Sequence, residues 1–160
     1  MKTWFKATVM ASCMTAVALP AGAVQAPQRP NPFAAESNLP FHAPRFDIIQ
    51  DADYQPAFEA GMAEQAAEIA RIANNPAPPS FENTIVAMER SGRMLDRVNE
   101  AFSGVVGANT NPALDKVQEI ETPKLSQHQD AIYLNPKLFA RVQSVYDRRA
   151  KLGLNPEQKQ

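Results

Sequence analysis

Apolar side chains recur along this chain at helical intervals. Tyr54, Phe58, Met62, Ala66, Ile69 and Ile72 step by 4, 4, 4, 3 and 3, which puts them on one stripe. The spacing predicts a helix from Asp53 to Ala73, with Asp53 as N-cap and Pro56 in the first turn, where backbone N–H groups have no intrahelical partner. Asn74-Asn75-Pro76-Ala77-Pro78-Pro79 stops it. A second stripe follows through Phe81, Ile85, Met88, Leu95, Val98, Phe102 and Val105. It predicts one long helix capped by Ser80, with Glu82 near the positive N-terminus and Gly92 in the stripe's gap, where a small residue lets another helix approach. Asn111-Pro112, Thr122-Pro123 and Asn135-Pro136 each set a capping side chain before a proline. They predict shorter helices over 112–121, 123–133 and 136–151, the last stopped by Gly153. No alternating pattern long enough for a strand occurs, so the expected fold class is all-α.

Two segments lie outside this helical pattern. Residues 1–23 resemble a secretory signal, with Lys2 and Lys6 ahead of a largely apolar run from Ala7 to Leu19 that is too short to span a bilayer. Pro20 breaks the run, and Ala21-Gly22-Ala23 offers a small-x-small site for cleavage after Ala23; cleavage after Ala26 would leave Pro27 next to the scissile bond. A lipoprotein signal at Met10-Ala11-Ser12-Cys13 is the competing reading, weakened by Met10 and by the apolar run past Cys13. Residues 24–50 are then a Pro-rich extended arm, with prolines at 27, 30, 32, 40 and 44. The arm carries Phe33, Leu39, Phe41, Phe46, Ile48 and Ile49, too many apolar residues for a simple linker, so it is expected to lie across a surface. Residues 51–160 form the helical domain. Asn155-Pro156-Glu157-Gln158 begins another helix just before Gln160, the pattern expected of a domain truncated at its C-terminal end.

Composition changes this picture in two ways. Fourteen prolines in 160 residues is about 9%, against a usual share of about 5%. These prolines are placed at helix boundaries and in the arm, and a hydrophobic fraction of 44% excludes a disordered chain. A net charge of −1 leaves no basic footprint for nucleic acid and no polybasic patch for anionic lipid. Signal removal would take away Cys13 and Trp4, leave 14 basic against 17 acidic residues, and give a cysteine-free chain for an oxidising compartment. The expected location is the periplasm, with no membrane association after cleavage.

Candidate chemistry is sparse. His42 and His128 are far apart and fit no H-E-x-x-H spacing, so both read as surface or hydrogen-bonded histidines rather than ligands. Ser103 precedes Gly104 but lies in no Gly-x-Ser-x-Gly elbow. Glu119 and Glu121 do not share a helix face. Asp96 and Glu100 do, but they alternate with Arg93 and Arg97, and Glu89 precedes Arg93 by four, which predicts a solvated, salt-bridged face. Arg148, Arg149 and Lys151 suit a helix C-terminus. No residue of the chain qualifies as catalytic, cofactor-binding or metal-ligating.

The ordered segments nonetheless resemble a known family. They are Asn31-Pro32-Phe33, Leu39-Pro40-Phe41, Phe46-Asp47, Asp53-Tyr54-Gln55-Pro56-Ala57-Phe58-Glu59-Ala60-Gly61-Met62, and Asn74 to Pro79 followed by Ser80-Phe81-Glu82-Asn83-Thr84-Ile85. Ala108-Asn109-Thr110-Asn111 and Asp130-Ala131-Ile132-Tyr133-Leu134-Asn135-Pro136 continue the series. Together they resemble the N-terminal region of bacterial peptidyl-dipeptidases, in the zinc metallopeptidase family that includes oligopeptidase A, thimet oligopeptidase and neurolysin. The resemblance implies the N-terminal helical lobe of a zincin-type oligopeptidase, one wall of a deep channel that admits short peptides. It implies zinc in the full-length family member, held downstream by H-E-x-x-H and a later glutamate, and release of C-terminal dipeptides. No residue here matches those positions, so this chain is expected to bind no zinc, to be inactive alone, and to have a missing catalytic lobe as partner besides the peptide substrates. The alternative is a standalone exported helical peptide-binding or regulatory protein. That alternative needs a surface in place of the catalytic-lobe contacts, for which the helix-two stripe and the arm's Phe33, Phe41 and Phe46 are the candidate exposed patch, whereas an orphaned lobe is expected to expose apolar stripes, aggregate or bind a hydrophobic dye.

Overall fold

A computed structural model describes residues 29–159. The signal-like segment, Cys13 and the first residues of the arm lie outside the described residues. Helix α1 spans Asp51–Ala73 and α2 begins as a π-helical stretch, Phe81–Val86, that continues as Ala87–Glu89. Helices α3 (Arg93–Asn109), α4 (Pro112–Tyr133) and α5 (Pro136–Arg148) follow, with short 3₁₀ turns at Pro40–His42, Arg149–Lys151 and Glu157–Lys159. No strand occurs among the described residues, and the all-α expectation holds.

Helix α1 is the axis of the fold and packs on α3, α4 and α5. Its N-terminal half enters a core with Met94, Leu95, Val98 and Phe102 of α3 and Leu114 and Val117 of α4, closed from the arm side by Phe33. The rings interlock, with Tyr54 and Phe58 each meeting Phe102 edge-on at centroid distances of 5.1 and 5.3 Å. Its C-terminal half buries Ile69, Ile72 and Ala73 against Leu138 of α5 and the half-buried Ala87, Met88 and Ile132. The predicted α1 stripe is therefore right in direction but shifted: Ala66 is exposed, while Ala57 and Gly61 are buried.

Three boundaries differ from the sequence reading, each for a physical reason. Helix α1 starts at Asp51 rather than Asp53. Asp53 works from inside the helix, its Oδ2 accepting the Gln50 N–H at 2.8 Å, while Arg29 donates to the same carboxylate at 3.0 Å. Pro56 consequently sits in the second turn. The long second helix is broken at Arg90–Gly92 into α2 and α3. Gly92 takes a left-handed φ of +79°, its N–H donating to Glu68 Oε2 of α1 at 2.8 Å, and a Cβ there would meet the Gln65 amide. The seven-residue gap in the stripe, from Met88 to Leu95, is that break.

Helix α4 runs straight through Thr122-Pro123 instead of restarting there. Leu114, Val117, Glu121 and Leu125 step along one face across the proline, and their burial on α1 outweighs the one backbone bond that Pro123 cannot donate. Thr122 meanwhile donates from its hydroxyl to Gln118 O at 2.7 Å. The expected salt-bridged face of α3 is absent as well: none of Glu89, Arg93, Asp96, Arg97 or Glu100 forms an ion pair among the described residues. Arg97 donates instead to Phe33 O at 2.8 and 3.1 Å, pinning the arm.

The remaining caps match expectation. Asn111 Oδ1 accepts from Ala113 N and Leu114 N, and Asn135 Oδ1 from Lys137 N and Leu138 N. Asn155 and Gln158 cap each other reciprocally at 2.8 and 3.0 Å. The arm crosses one end of α1 and α3, with Phe33 buried but Phe41 and Phe46 exposed.

The close approach of α1 and α3 is made at Gly61, not Gly92. A Cβ on Gly61 would stand 2.9 Å from Leu95 Cα, which is backbone and cannot swing aside. Gly61→Val should therefore push the helices apart and cost about 2–3 kcal/mol, the order seen for overpacked cores. Urea unfolding followed by circular dichroism checks this, and an unchanged midpoint would contradict it.

Candidate functional site

A concavity of about 580 Å³ opens between α3 and α4 over α1. Its floor is apolar, from Ile69 of α1, Leu95 of α3, and Leu125 and Ile132 of α4. Glu89, Asp96 and Asn99 line one side, and Ser126, Gln129 and Tyr133 line the other. The turn that closes one end is rigid, because Ser91 Oγ donates to Met88 O at 2.7 Å and Gly92 is held by Glu68.

His128 lies in this groove, half-buried, with Nε2 2.8 Å from Gln65 Oε1. The amide oxygen accepts, so Nε2 carries the proton. Burial holds the imidazole below its ordinary value. Between that lowered value and the unfolded value of about 6.5 the unfolded chain binds the extra proton, so stability is complete above pH 6.5 and lost as pH falls. His128→Gln should accordingly narrow the difference in Tm between pH 7 and pH 5, measured by thermal melts; an identical difference would contradict the assignment.

The other sequence candidates are scattered. His42 is exposed on the arm, its Nδ1 3.0 Å from Ser37 O, with a left-handed φ of +56° shared by neighbouring Phe41 at +59°. Ser103 is exposed on α3. Glu119 pairs with Lys116 at the surface, whereas Glu121 is only 1% exposed, its Oε1 accepting from Lys124 at 2.9 Å and its Oε2 left without a partner. Arg148 ties α5 to Pro79 O, and Arg149 stacks 3.7 Å over the Tyr146 ring. No group of three or more histidine, cysteine or acidic side chains suited to a metal exists among the described residues. The described residues do not fit a catalytic zinc site.

Two polar residues were missed by the sequence reading. Gln65 lies on the α1 stripe midway between Gly61 and Ile69, and Arg141 lies on the α5 stripe between Leu138 and Val145. A polar side chain in phase with a buried stripe is the signal that would have found both. The exposed apolar surface meets expectation only in part. Phe41 and Phe46 of the arm are exposed as expected, but Leu95, Val98 and Phe102 of the helix-two stripe and Phe33 of the arm are buried, and Tyr133, Leu134, Phe139 and Tyr146 are exposed in addition.

The fold thus defines a helical domain with a groove over α1, and no catalytic constellation is assembled among the described residues. Over 127 residues, 79% of the chain, it is 47% identical to a dipeptidyl carboxypeptidase of Escherichia coli (strain K12). It is 44% identical over the same length to a dipeptidyl carboxypeptidase of Salmonella typhimurium (strain LT2). The resemblance to bacterial peptidyl-dipeptidases is therefore met. The chain spans 19% of the length of these curated relatives. No family model matches it.

Proposed function

We propose that this chain serves as the N-terminal helical lobe of a zinc-dependent peptidyl-dipeptidase, an exported periplasmic enzyme that hydrolyses short peptides and releases C-terminal dipeptides. The observation that carries this reading is the 47% identity sustained across 127 residues with a protein named for that class of activity. The signal-like character of residues 1–23 supports export. In this reading the 160 residues supply a rigid wall of the peptide channel. The zinc ligands and the general base belong to polypeptide outside them, a reading supported by the lack of H-E-x-x-H in the sequence and of a metal-suited donor group among the described residues.

The test is hydrolysis of an N-acylated tripeptide, scored by release of its C-terminal dipeptide in the presence of zinc. The 160-residue chain should give background only, and the polypeptide encoded by the same reading frame extended through H-E-x-x-H should release dipeptide until a chelator is added. Hydrolysis by the 160 residues themselves, or an extended product that releases no dipeptide, would overturn the proposal.

A further inference from the structure

The groove between α3 and α4 has a one-sided charge that the account of the lobe as a wall does not use. Glu89 and Asp96 stand along the α2–α3 side, both exposed, and neither is paired among the described residues. No lysine or arginine lines the groove. Of the neighbouring cations, Arg90 pairs with Glu82 at 3.3 Å, Lys124 with Glu59 and Glu121, and Arg71 with Glu68 at 3.9 Å, while Arg93, exposed on α3 between the two carboxylates, does not line the groove and forms no ion pair among the described residues. Beneath the carboxylates the floor is apolar, and on the opposite side the Tyr133 ring is largely exposed. A carboxylate rim over an aliphatic floor, facing an aromatic ring, complements a cation on an aliphatic stem.

We propose that this groove docks an extended peptide segment carrying a lysine or arginine side chain flanked by apolar residues. The apolar neighbours cover Ile69, Leu95 and Ile132 while the cation lies at the Glu89 and Asp96 rim. The inference rests on the peptide-handling reading above for the class of ligand, but not on any catalytic step. Binding is measured on this chain without hydrolysis, so its failure leaves the peptidase reading standing, and the reverse also holds.

The experiment is an NMR titration of the isotope-labelled 160-residue chain with acetyl-Ala-Leu-Arg-Leu-Ala-amide and with the same peptide bearing glutamate for arginine. The arginine peptide should move the Leu95, Asp96, Ile132 and Tyr133 resonances and bind about fivefold tighter than the glutamate peptide, the order expected of two exposed charge contacts. Combining Glu89→Gln with Asp96→Asn should remove that preference, and both positions are exposed enough to leave the fold intact, which circular dichroism verifies. Glu100→Gln removes a carboxylate charge on α3 away from the groove and should leave the preference in place. Equal binding of the two peptides, no binding, shifts mapping elsewhere, or an equal loss from Glu100→Gln would each overturn the proposal.

Discussion

Replacing Arg141 by alanine should lower the stability of the chain by about 3 kcal/mol, since hydrogen bonds from a charged group contribute about 1.5–3 kcal/mol each and leave their acceptors unsatisfied when removed. Arg141 is only 7% exposed. Its Nη1 donates to Asn75 O at 2.8 Å and Ala77 O at 3.1 Å, and its Nη2 donates to Asn83 Oδ1 at 2.8 Å. That Asn83 oxygen also accepts from Ser80 N and Thr84 Oγ1, while Asn83 Nδ2 donates to Pro78 O at 3.0 Å. One side chain of α5 thus holds the proline-rich connection from α1 and the cap of α2 together. Lys137 and Arg148 hold its two ends, at Asn74 Oδ1 and Pro79 O. Arg141→Lys keeps the charge but not the fork, so it should recover part of the loss and no more. Urea unfolding of the two variants measures both effects, and a loss below about 1 kcal/mol for alanine would mean the clamp contributes little beyond an ordinary hydrogen bond.

Phe58→Ala should cost about 3–5 kcal/mol, the range for an aromatic removed from a packed core. Phe58 is fully buried where α1, α3 and α4 meet, its ring at 84° to that of Phe102. The void it leaves is bounded by helix backbones already in contact at Gly61 and Leu95, so the site cannot collapse to fill it. Phe58→Leu retains most of the volume and should cost clearly less. Denaturant unfolding of the pair gives the comparison; equal losses would contradict a rigid core at this point.

Most of the architecture was legible because capping and apolar period act over three or four residues. Ser80, Asn111 and Asn135 cap as their sequence contexts indicate, and the stripes of α1 and α3 point to the observed core. What was illegible depends on contacts far along the chain. The break at Gly92 needs Glu68 and Gln65 of α1, and the continuity of α4 through Pro123 needs the surface of α1 beneath it. Arg97 turns from its helix neighbours to Phe33 O for the same reason, an acceptor supplied by a segment 64 residues away.

The candidate site divides along the same line. His128 was legible as a hydrogen-bonded histidine, but the groove around it exists only once α3 and α4 diverge over α1. The segment Ser80-Phe81-Glu82-Asn83-Thr84, one of those that carried the resemblance to peptidyl-dipeptidases, has an architectural role here. Ser80 and Asn83 cap reciprocally, Thr84 is fully buried, and Glu82 meets Arg90. Recognition therefore came from residues that build the lobe rather than from residues that do chemistry.

We propose these 160 residues as the helical lobe of a larger zinc peptidase, and sequencing the coding DNA past the Gln160 codon tests that proposal most directly. The account predicts an open frame that runs on into an H-E-x-x-H motif and a later glutamate. A stop codon directly after Gln160, with no such region nearby, would contradict it.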